Sequence, residues 1–324
     1  MNRVITAAVI LAGVLFLPGA SAALPYADTG PFDVVTEDGM ELPVRNSGLP
    51  VMGVRVVYPR GEGPWPLVVY SHGMFSANDK FDPVAEHWAS WGYVVLLPDH
   101  LDAGGGLKIR EFSAAEKLIL SRAEDMQLVL DALPSIEEAV PGIAGKLSPP
   151  PYVAAGHSVG SFVALLSTGT EIRNPETEEI MSDADGRYGF AALSSDPGNM
   201  ALMPADLWLG AVVPTLLVSG SADYGIMGDG RIKADYQNEV LTGAGAEPET
   251  RYRLVIEGVD HYFGGLVHRV PKDANPDPEG LKIYNAVSTA FLEAYVKGND
   301  KALAELTGMN LPETTAGRAS LQVK

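Results

Sequence analysis

The chain has 324 residues, of which 46% are hydrophobic and 20% charged, values ordinary for a globular protein with a sizeable core. Its formal net charge of −18 argues against partners such as nucleic acid or anionic membranes, because so acidic a surface repels phosphates. The sequence has no cysteine, which excludes disulfides, thiol catalysis and thiolate metal sites.

The first 22 residues are typical of an export signal. Arg3 precedes an apolar stretch over residues 4–17, and small residues at 20–22 supply a cleavage site. The stretch has about 14 residues, whereas a membrane span needs about 20. We therefore expect cleavage near Ala22, a secreted or periplasmic protein without stable membrane insertion, and one domain over residues 23–324.

Apolar runs rich in β-branched residues then alternate with helical patterns, which predicts an α/β fold with a mostly parallel sheet between helices. The predicted strands are residues 32–36, 51–58, 66–71, 93–97, 152–155, 188–193, 214–219 and 252–256. The predicted helices are residues 83–91, 114–133, 159–166, 232–241 and 283–295. Two polar segments, residues 171–187 and 270–280, are expected to be surface insertions near the rim of the site. The tail after about residue 311 is expected to be loose.

The pentapeptide Gly156-His157-Ser158-Val159-Gly160 fits the nucleophile elbow G-x-S-x-G. Such a turn strains the serine backbone and leaves no room for side chains at the flanking positions. The apolar run PYVAA precedes it and the helical run SVGSFVALLS follows it, which is the strand–turn–helix context that the elbow requires. Ser158 is therefore the predicted nucleophile.

A general base is expected after the elbow in the chain. His261 follows the predicted strand RYRLVIEG, and histidine suits this task at neutral pH. His268 is the alternative, but no strand end directly precedes it. His157 is interpreted as a packing or hydrogen-bonding residue.

The acid that orients the base is expected after a strand between the two. Asp223 follows the strand PTLLVS and is the first choice. Asp196, after the preceding strand, stays open as an alternative.

An oxyanion hole needs two backbone N–H groups aimed at the developing negative charge. Val159, next to the nucleophile, is predicted to supply one. Met74, in the loop after the strand PLVVYS, is predicted to supply the other. The order Ser, Asp, His is that of α/β hydrolases.

Several motifs together resemble the dienelactone-hydrolase-like and plasma platelet-activating-factor acetylhydrolase-like branch of the α/β hydrolases. They are LVVYSHG, LLPDH, the R-x-x-D of Arg122 to Asp125, GHSVG, VSGSAD and DHYFGG. The resemblance spans roughly residues 53–297 and extends in layout to bacterial polyester hydrolases. It implies carboxylester hydrolysis without a cofactor and supports Met74 and Val159 as oxyanion donors.

The sequence departs from these families in three respects. It lacks the cysteine nucleophile of true dienelactone hydrolases, and it lacks the C-terminal disulfide that the polyester hydrolases commonly carry. At the aromatic clamp of the polyester hydrolases it has Ser-Ser-Asp-Pro at residues 194–197. These departures argue against polyester cleavage. We therefore expect short-chain or moderately bulky small-molecule esters as substrates, with a polymeric ester, amide or thioester hydrolysis and a silent binding protein as alternatives.

Other signals are weaker. Phe75, Trp208, Tyr224 and Tyr262 are candidates either for an acyl pocket or for the core. Asp183 begins half of a calcium loop, but the bidentate glutamate of such loops is missing. No phosphate-binding glycine motif follows a strand.

Overall fold

The computed structural model describes residues 23–44, 51–105, 112–173, 180–181, 183–194, 213–223 and 250–323. The predicted helix at 232–241, Tyr224, Trp208, Asp196 and the export signal lie outside the described residues.

Most of the predicted elements are present, but the strand predicted at 32–36 ends seven residues later, at Pro43, and the helix predicted at 283–295 begins five residues earlier, at Pro278. The strands are β1 Val34–Pro43, β2 Val51–Pro59, β3 Leu67–Ser71, β4 Val94–Pro98, β5 Tyr152–His157, β6 Ile172–Arg173, β7 Ile180–Met181, β8 Tyr188–Ser194, β9 Thr215–Gly220, β10 Arg251–Ile256 and β11 Ala319–Val323. The helices are α1 Asp82–Ser90, α2 Phe112–Asp131, α3 Leu133–Ala139, α4 Val159–Ser167, α5 Pro278–Tyr295, α6 Asp300–Gly308 and α7 Leu311–Thr314.

Nine of the described strands form one sheet in the order β1-β2-β4-β3-β5-β8-β9-β10-β11. The six strands from β4 to β10 run parallel, while β1, β2 and β11 are antiparallel to their neighbours. Both faces of β3, β4, β5 and β9 are buried, which explains why their sequences are continuous apolar runs. The predicted α/β fold with a mostly parallel sheet is confirmed.

The helices cover the two faces of the sheet. Helices α2 and α4 pack with one set of strand side chains, including Leu67 and Val69 of β3. Helices α1 and α5 pack with the other set, including Val68 and Tyr70. Alternate residues of one strand thus enter two separate cores, as the pleat requires.

The segment after about residue 311 is ordered, contrary to expectation. The tail after about residue 311 was expected to be loose, but β11 pairs along its length with β10. The adjacent α6 and α7 bury Leu306 and Leu311. The segment looks polar because an edge strand and short amphipathic helices bury only a few of their residues. Among the described helices, none is both long and apolar enough to cross a membrane.

The parallel direction of the central strands decides where functional side chains meet. The carboxyl ends of β3, β5, β9 and β10 lie at one edge of the sheet. The loops that follow these four strands contain Met74, Ser158, Asp223 and His261 respectively. This edge is where open α/β sheets bind their ligands.

Candidate active site

Ser158 lies in a strained turn between β5 and α4. Its φ of 56° and ψ of −122° are a conformation that a non-glycine residue rarely adopts. A β carbon on Gly156 would overlap the carbonyl of Gly160, and one on Gly160 would overlap the carbonyl oxygen of Ser71. Glycine is therefore required at both positions. The local geometry is the strand–turn–helix elbow expected from the sequence.

His261 and Asp223 are hydrogen-bonded at the same sheet edge. The His261 Nδ1 lies 3.1 Å from each carboxylate oxygen of Asp223. Asp223 is fully buried and His261 is 5% exposed, so the contact is shielded from water. A carboxylate accepts hydrogen bonds only, which assigns the proton to Nδ1 and directs the Nε2 lone pair away from Asp223.

The base loop contacts the elbow through His157. The His157 Nε2 lies 2.9 Å from the carbonyl oxygen of His261, and the two rings are 4.7 Å apart between centroids. His157 precedes Ser158 directly, so this contact places the loop of the predicted base against the elbow. The interpretation of His157 as a packing and hydrogen-bonding residue agrees with this position.

The two predicted oxyanion donors occupy adjoining backbone segments. Val159 is the first residue of α4, and N–H groups in the first turn of a helix have no acceptor within the helix. Met74 lies in a tight turn closed by a 3.1 Å hydrogen bond from the N–H of Ser76 to the carbonyl of Gly73. Because Gly160 packs on Ser71, the start of α4 lies against the strand that leads into this turn.

Two of the three predicted substrate-binding residues flank this region. The side chain of Phe75 is 38% exposed. Tyr262 is half-buried, with its ring 4.9 Å from that of His261. The Arg269 guanidinium lies over the Tyr262 ring, 4.7 Å from the ring centroid. Tyr224 lies outside the described residues.

His268 lies much closer to the site than its place in the chain indicated. Its ring centroid is 5.3 Å from that of His157 and 6.1 Å from that of His261. Burial, together with the nearby His261 and Arg269, lowers the pKa of His268 to about 3. The ring is therefore neutral at ordinary pH. It contacts Gly73 in the loop of residues 72–75, which we name the oxyanion loop after its predicted role.

A buried polar group lies beneath the oxyanion loop, and no role was predicted for its members from the sequence, although three of them belong to the LLPDH and R-x-x-D motifs. It consists of His100, Asp102, Arg122 and Asp125, all at most 3% exposed. A usable signal was present, since Arg122 lies four residues after Leu118 and four before Met126, both of which are buried. A charged residue within the apolar stripe of a helix requires a buried partner.

Asp183, the first residue of the half calcium loop, is hydrogen-bonded to another side chain. Asp183 accepts a hydrogen bond of 2.9 Å from the side-chain amide of Gln127. Within the described part of the chain, no cluster of three histidine or acidic side chains is arranged to hold a metal ion.

Comparison with known families gives a match over part of the chain. Residues 30–171 match the Chlorophyllase family model, somewhat under half of the chain. The matched segment includes the oxyanion loop and the Ser158 elbow, and it ends before Asp223 and His261. No curated protein sequence matches the chain. The match agrees with the α/β-hydrolase resemblance drawn from the motifs at the level of fold and ester hydrolysis.

Proposed function

We propose that the chain is a carboxylic ester hydrolase that works through an acyl-enzyme on Ser158, with His261 as base and Asp223 as acid. The observation that carries this assignment is the His261–Asp223 hydrogen-bonded pair at the sheet edge that also presents the elbow. The order of Ser158, Asp223 and His261 in the chain, and their positions in loops at one edge of the sheet, agree with the roles proposed for them.

In the proposed first step, the His261 Nε2 takes the proton of Ser158 while Oγ attacks the ester carbonyl carbon. The negative charge that forms on the carbonyl oxygen is stabilised by the N–H groups of Met74 and Val159. The intermediate collapses, the C–O bond to the leaving alcohol breaks, and the alcohol takes its proton from His261. Water then attacks the acyl-enzyme with the same base and releases the acid and Ser158.

Short-chain or moderately bulky esters are the proposed substrates. The exposed Phe75 and half-buried Tyr262 beside His261 offer apolar contact to an acyl or alcohol group. The name of the matched family adds the ester of chlorophyll as a second candidate. Polyester, amide and thioester cleavage would use the same three residues. The dienelactone-hydrolase-like or acetylhydrolase-like branch remains part of this proposal, as do export through residues 1–22 and a single domain after them.

Hydrolysis of p-nitrophenyl esters from acetyl to palmitoyl tests the proposal. Ser158→Ala should lower kcat by about 10⁶-fold, as nucleophile removal does in other serine hydrolases. Ser167→Ala is a matched control in the same helix, and it should retain turnover. A Ser158→Ala variant with wild-type activity would overturn the assignment.

Two further measurements separate the alternatives. Release of the free acid pigment from chlorophyll, absent in Ser158→Ala, would extend the substrate range to that ester. A fluorophosphonate probe should label the wild-type protein but not Ser158→Ala. A folded wild-type protein that the probe does not label would favour a silent binding protein.

A further inference from the structure

Arg122 and Asp102 form a fully buried ion pair directly beneath the oxyanion loop. The Arg122 Nε and Nη2 atoms donate to Asp102 Oδ1 at 3.0 and 2.7 Å, and Nη2 also lies 2.7 Å from Oδ2. Both side chains have 0% exposure. The pair joins α2 to the loop after β4, two segments that the sheet alone does not connect.

The same two side chains hold the backbone on either side of Met74. The Arg122 Nη1 donates to the carbonyl of His72 at 2.5 Å. On the far side, the N–H of Phe75 donates to Asp102 Oδ2 at 2.8 Å. Met74, whose N–H is the proposed oxyanion donor, is thus bracketed by contacts to one ion pair.

Phe75 shows that the turn needs this support. Its φ of 62° lies in the left-handed region, which is unfavourable for a bulky residue. Such strain costs of order 1–3 kcal/mol and persists where surrounding contacts hold it. The hydrogen bond from Phe75 to Asp102 is one such contact.

A second buried chain of hydrogen bonds fixes the end of β3, where the loop begins. Ser71 Oγ lies 2.9 Å from His100 Nε2, and His100 Nδ1 lies 2.8 Å from Asp125 Oδ2. The N–H of His100 also donates to His72 Nε2 at 3.2 Å. Ser71 has 0% exposure, so this serine, histidine and aspartate set offers no surface to a substrate.

The ion pair is charged in spite of its burial. Burial opposes ionisation of Asp102, but the charge and hydrogen bonds of Arg122 and the N–H of Phe75 outweigh it and lower the pKa of Asp102 to about 2. Apolar side chains of similar volume often stabilise a fold as well as a buried ion pair does. A role in fixing geometry therefore accounts for the pair better than stability alone.

We propose that the Arg122–Asp102 pair is a positioning device that fixes the Met74 N–H for the oxyanion. The proposal rests on the proposed function, since it requires an oxyanion at this site. Neither residue touches the substrate. Their effect passes through the backbone of residues 72–75.

Asp102→Asn is the first test because it keeps the size of the side chain. Both carboxylate oxygens accept from donors, and an amide has only one accepting oxygen, so Arg122 or Phe75 must lose its acceptor. The loop should then shift, and kcat for p-nitrophenyl butyrate should fall about 10- to 100-fold, since a displacement of about 1 Å can cost 10²-fold. KM should stay within about twofold because ground-state binding does not use this N–H.

Butylboronic acid provides an independent readout. Ser158 Oγ forms a bond to the boron atom, and the serine proton passes to His261. One oxygen of the resulting tetrahedral boronate then occupies the oxyanion position. Its dissociation constant should rise by roughly the same factor as kcat falls. A merely structural role would lower the melting temperature and leave both kcat and boronate affinity unchanged at a temperature where the variant is folded.

Two more variants make the result decisive. Arg122→Lys keeps the charge but loses the planar fork that reaches His72 and Asp102 together, so it should show the same paired losses. Asp185→Asn removes the largely buried partner of Arg187, away from the loop, and should lower stability without changing kcat. If Asp102→Asn does not fold, Arg122→Lys decides.

The outcomes also separate this proposal from the proposed function. A Ser158→Ala variant that keeps its activity defeats the proposed function, whatever the other variants do. An inactive Ser158→Ala, with Asp102→Asn and Arg122→Lys folded and unchanged in kcat and boronate affinity, overturns the positioning role alone.

Discussion

Gly160 lies directly against the carbonyl oxygen of Ser71, with no room for a β carbon between them. Gly160 belongs to the first turn of α4, two residues after the predicted nucleophile. Ser71 ends β3, three residues before the predicted oxyanion donor Met74. The separation between the two halves of the proposed oxyanion hole therefore depends on this contact.

Gly160→Ala should damage both stability and activity. The added methyl must push α4 away from β3, and overpacking of this kind typically costs about 1–3 kcal/mol. Thermal unfolding and kcat on a p-nitrophenyl ester measure the two effects. Gly308→Ala is the control, because a β carbon there meets nothing within 4 Å and its backbone φ is ordinary. Equal melting temperatures for the two variants would contradict the packing argument.

Asp223→Asn should lower kcat by about 10⁴-fold, because an amide no longer holds the imidazole tautomer in which Nδ1 carries the proton. KM should change little. Asp196→Asn, at the alternative position from the sequence, should remain close to wild type. The opposite ranking of the two variants would transfer the acid role to Asp196.

His268 should make the protein sensitive to mild acid. Its folded pKa of about 3 is below its unfolded value of about 6.5, so between these pH values only the unfolded chain binds the proton. The contribution of His268 to the free energy of unfolding is constant above about pH 6.5 and falls as the pH decreases from there toward about 3. The neighbours that oppose its protonation are His261, Arg269 and Arg122.

His268→Gln should therefore lose less stability on acidification than the wild type. Between pH 7 and pH 5 the difference in unfolding free energy should be about 2 kcal/mol, from a slope of about 1.4 kcal/mol per pH unit. Urea unfolding at both pH values measures it. Identical pH dependence in the two proteins would show that His268 does not remain neutral in the folded state.

Asp277→Ala should destabilise the C-terminal region without affecting catalysis directly. The Asp277 side chain caps α5 by accepting from the N–H of Gly280 at 2.9 Å, and it accepts from Arg318 at 2.6 Å. Loss of an N-cap costs about 1 kcal/mol. Chemical unfolding of Asp277→Ala, Arg318→Ala and the double variant gives the coupling, which we expect to be below about 1 kcal/mol at this partly exposed position. A fully additive double variant would show that the ion pair contributes nothing.

Much of the fold was predictable because its central strands are buried on both faces and have continuous apolar sequences. β3 and β9 were predicted within a residue or two of their observed ends. Helix α6 and strand β11 were missed because each buries few side chains and so lacks a clear apolar period. The local hydrophobic pattern carries little information about an edge strand such as β11, because its pairing depends on β10, which is distant in the sequence.

The candidate site divides in the same way. Ser158 and His261 follow strands with strong local signals, so their loops could be identified from the chain. Arg122 instead was only part of a motif in the predicted helix 114–133, and the sequence pattern did not show that its side chain is fully buried. Its partners lie 20 residues away at Asp102 and 50 at His72, and no local pattern joins them.

The pairing of β11 with β10 has a consequence for shortened chains. β10 leads into the loop that contains His261, and the N–H of Glu257 in that loop donates to the carbonyl of Arg318 at 2.7 Å. A chain that stops at residue 295 contains the elbow and the base, but not the strand that supports the base loop. Domains generally fold as units. Such a chain should therefore remain short of the native state and without stable hydrolytic activity, although every residue of the proposed triad is present.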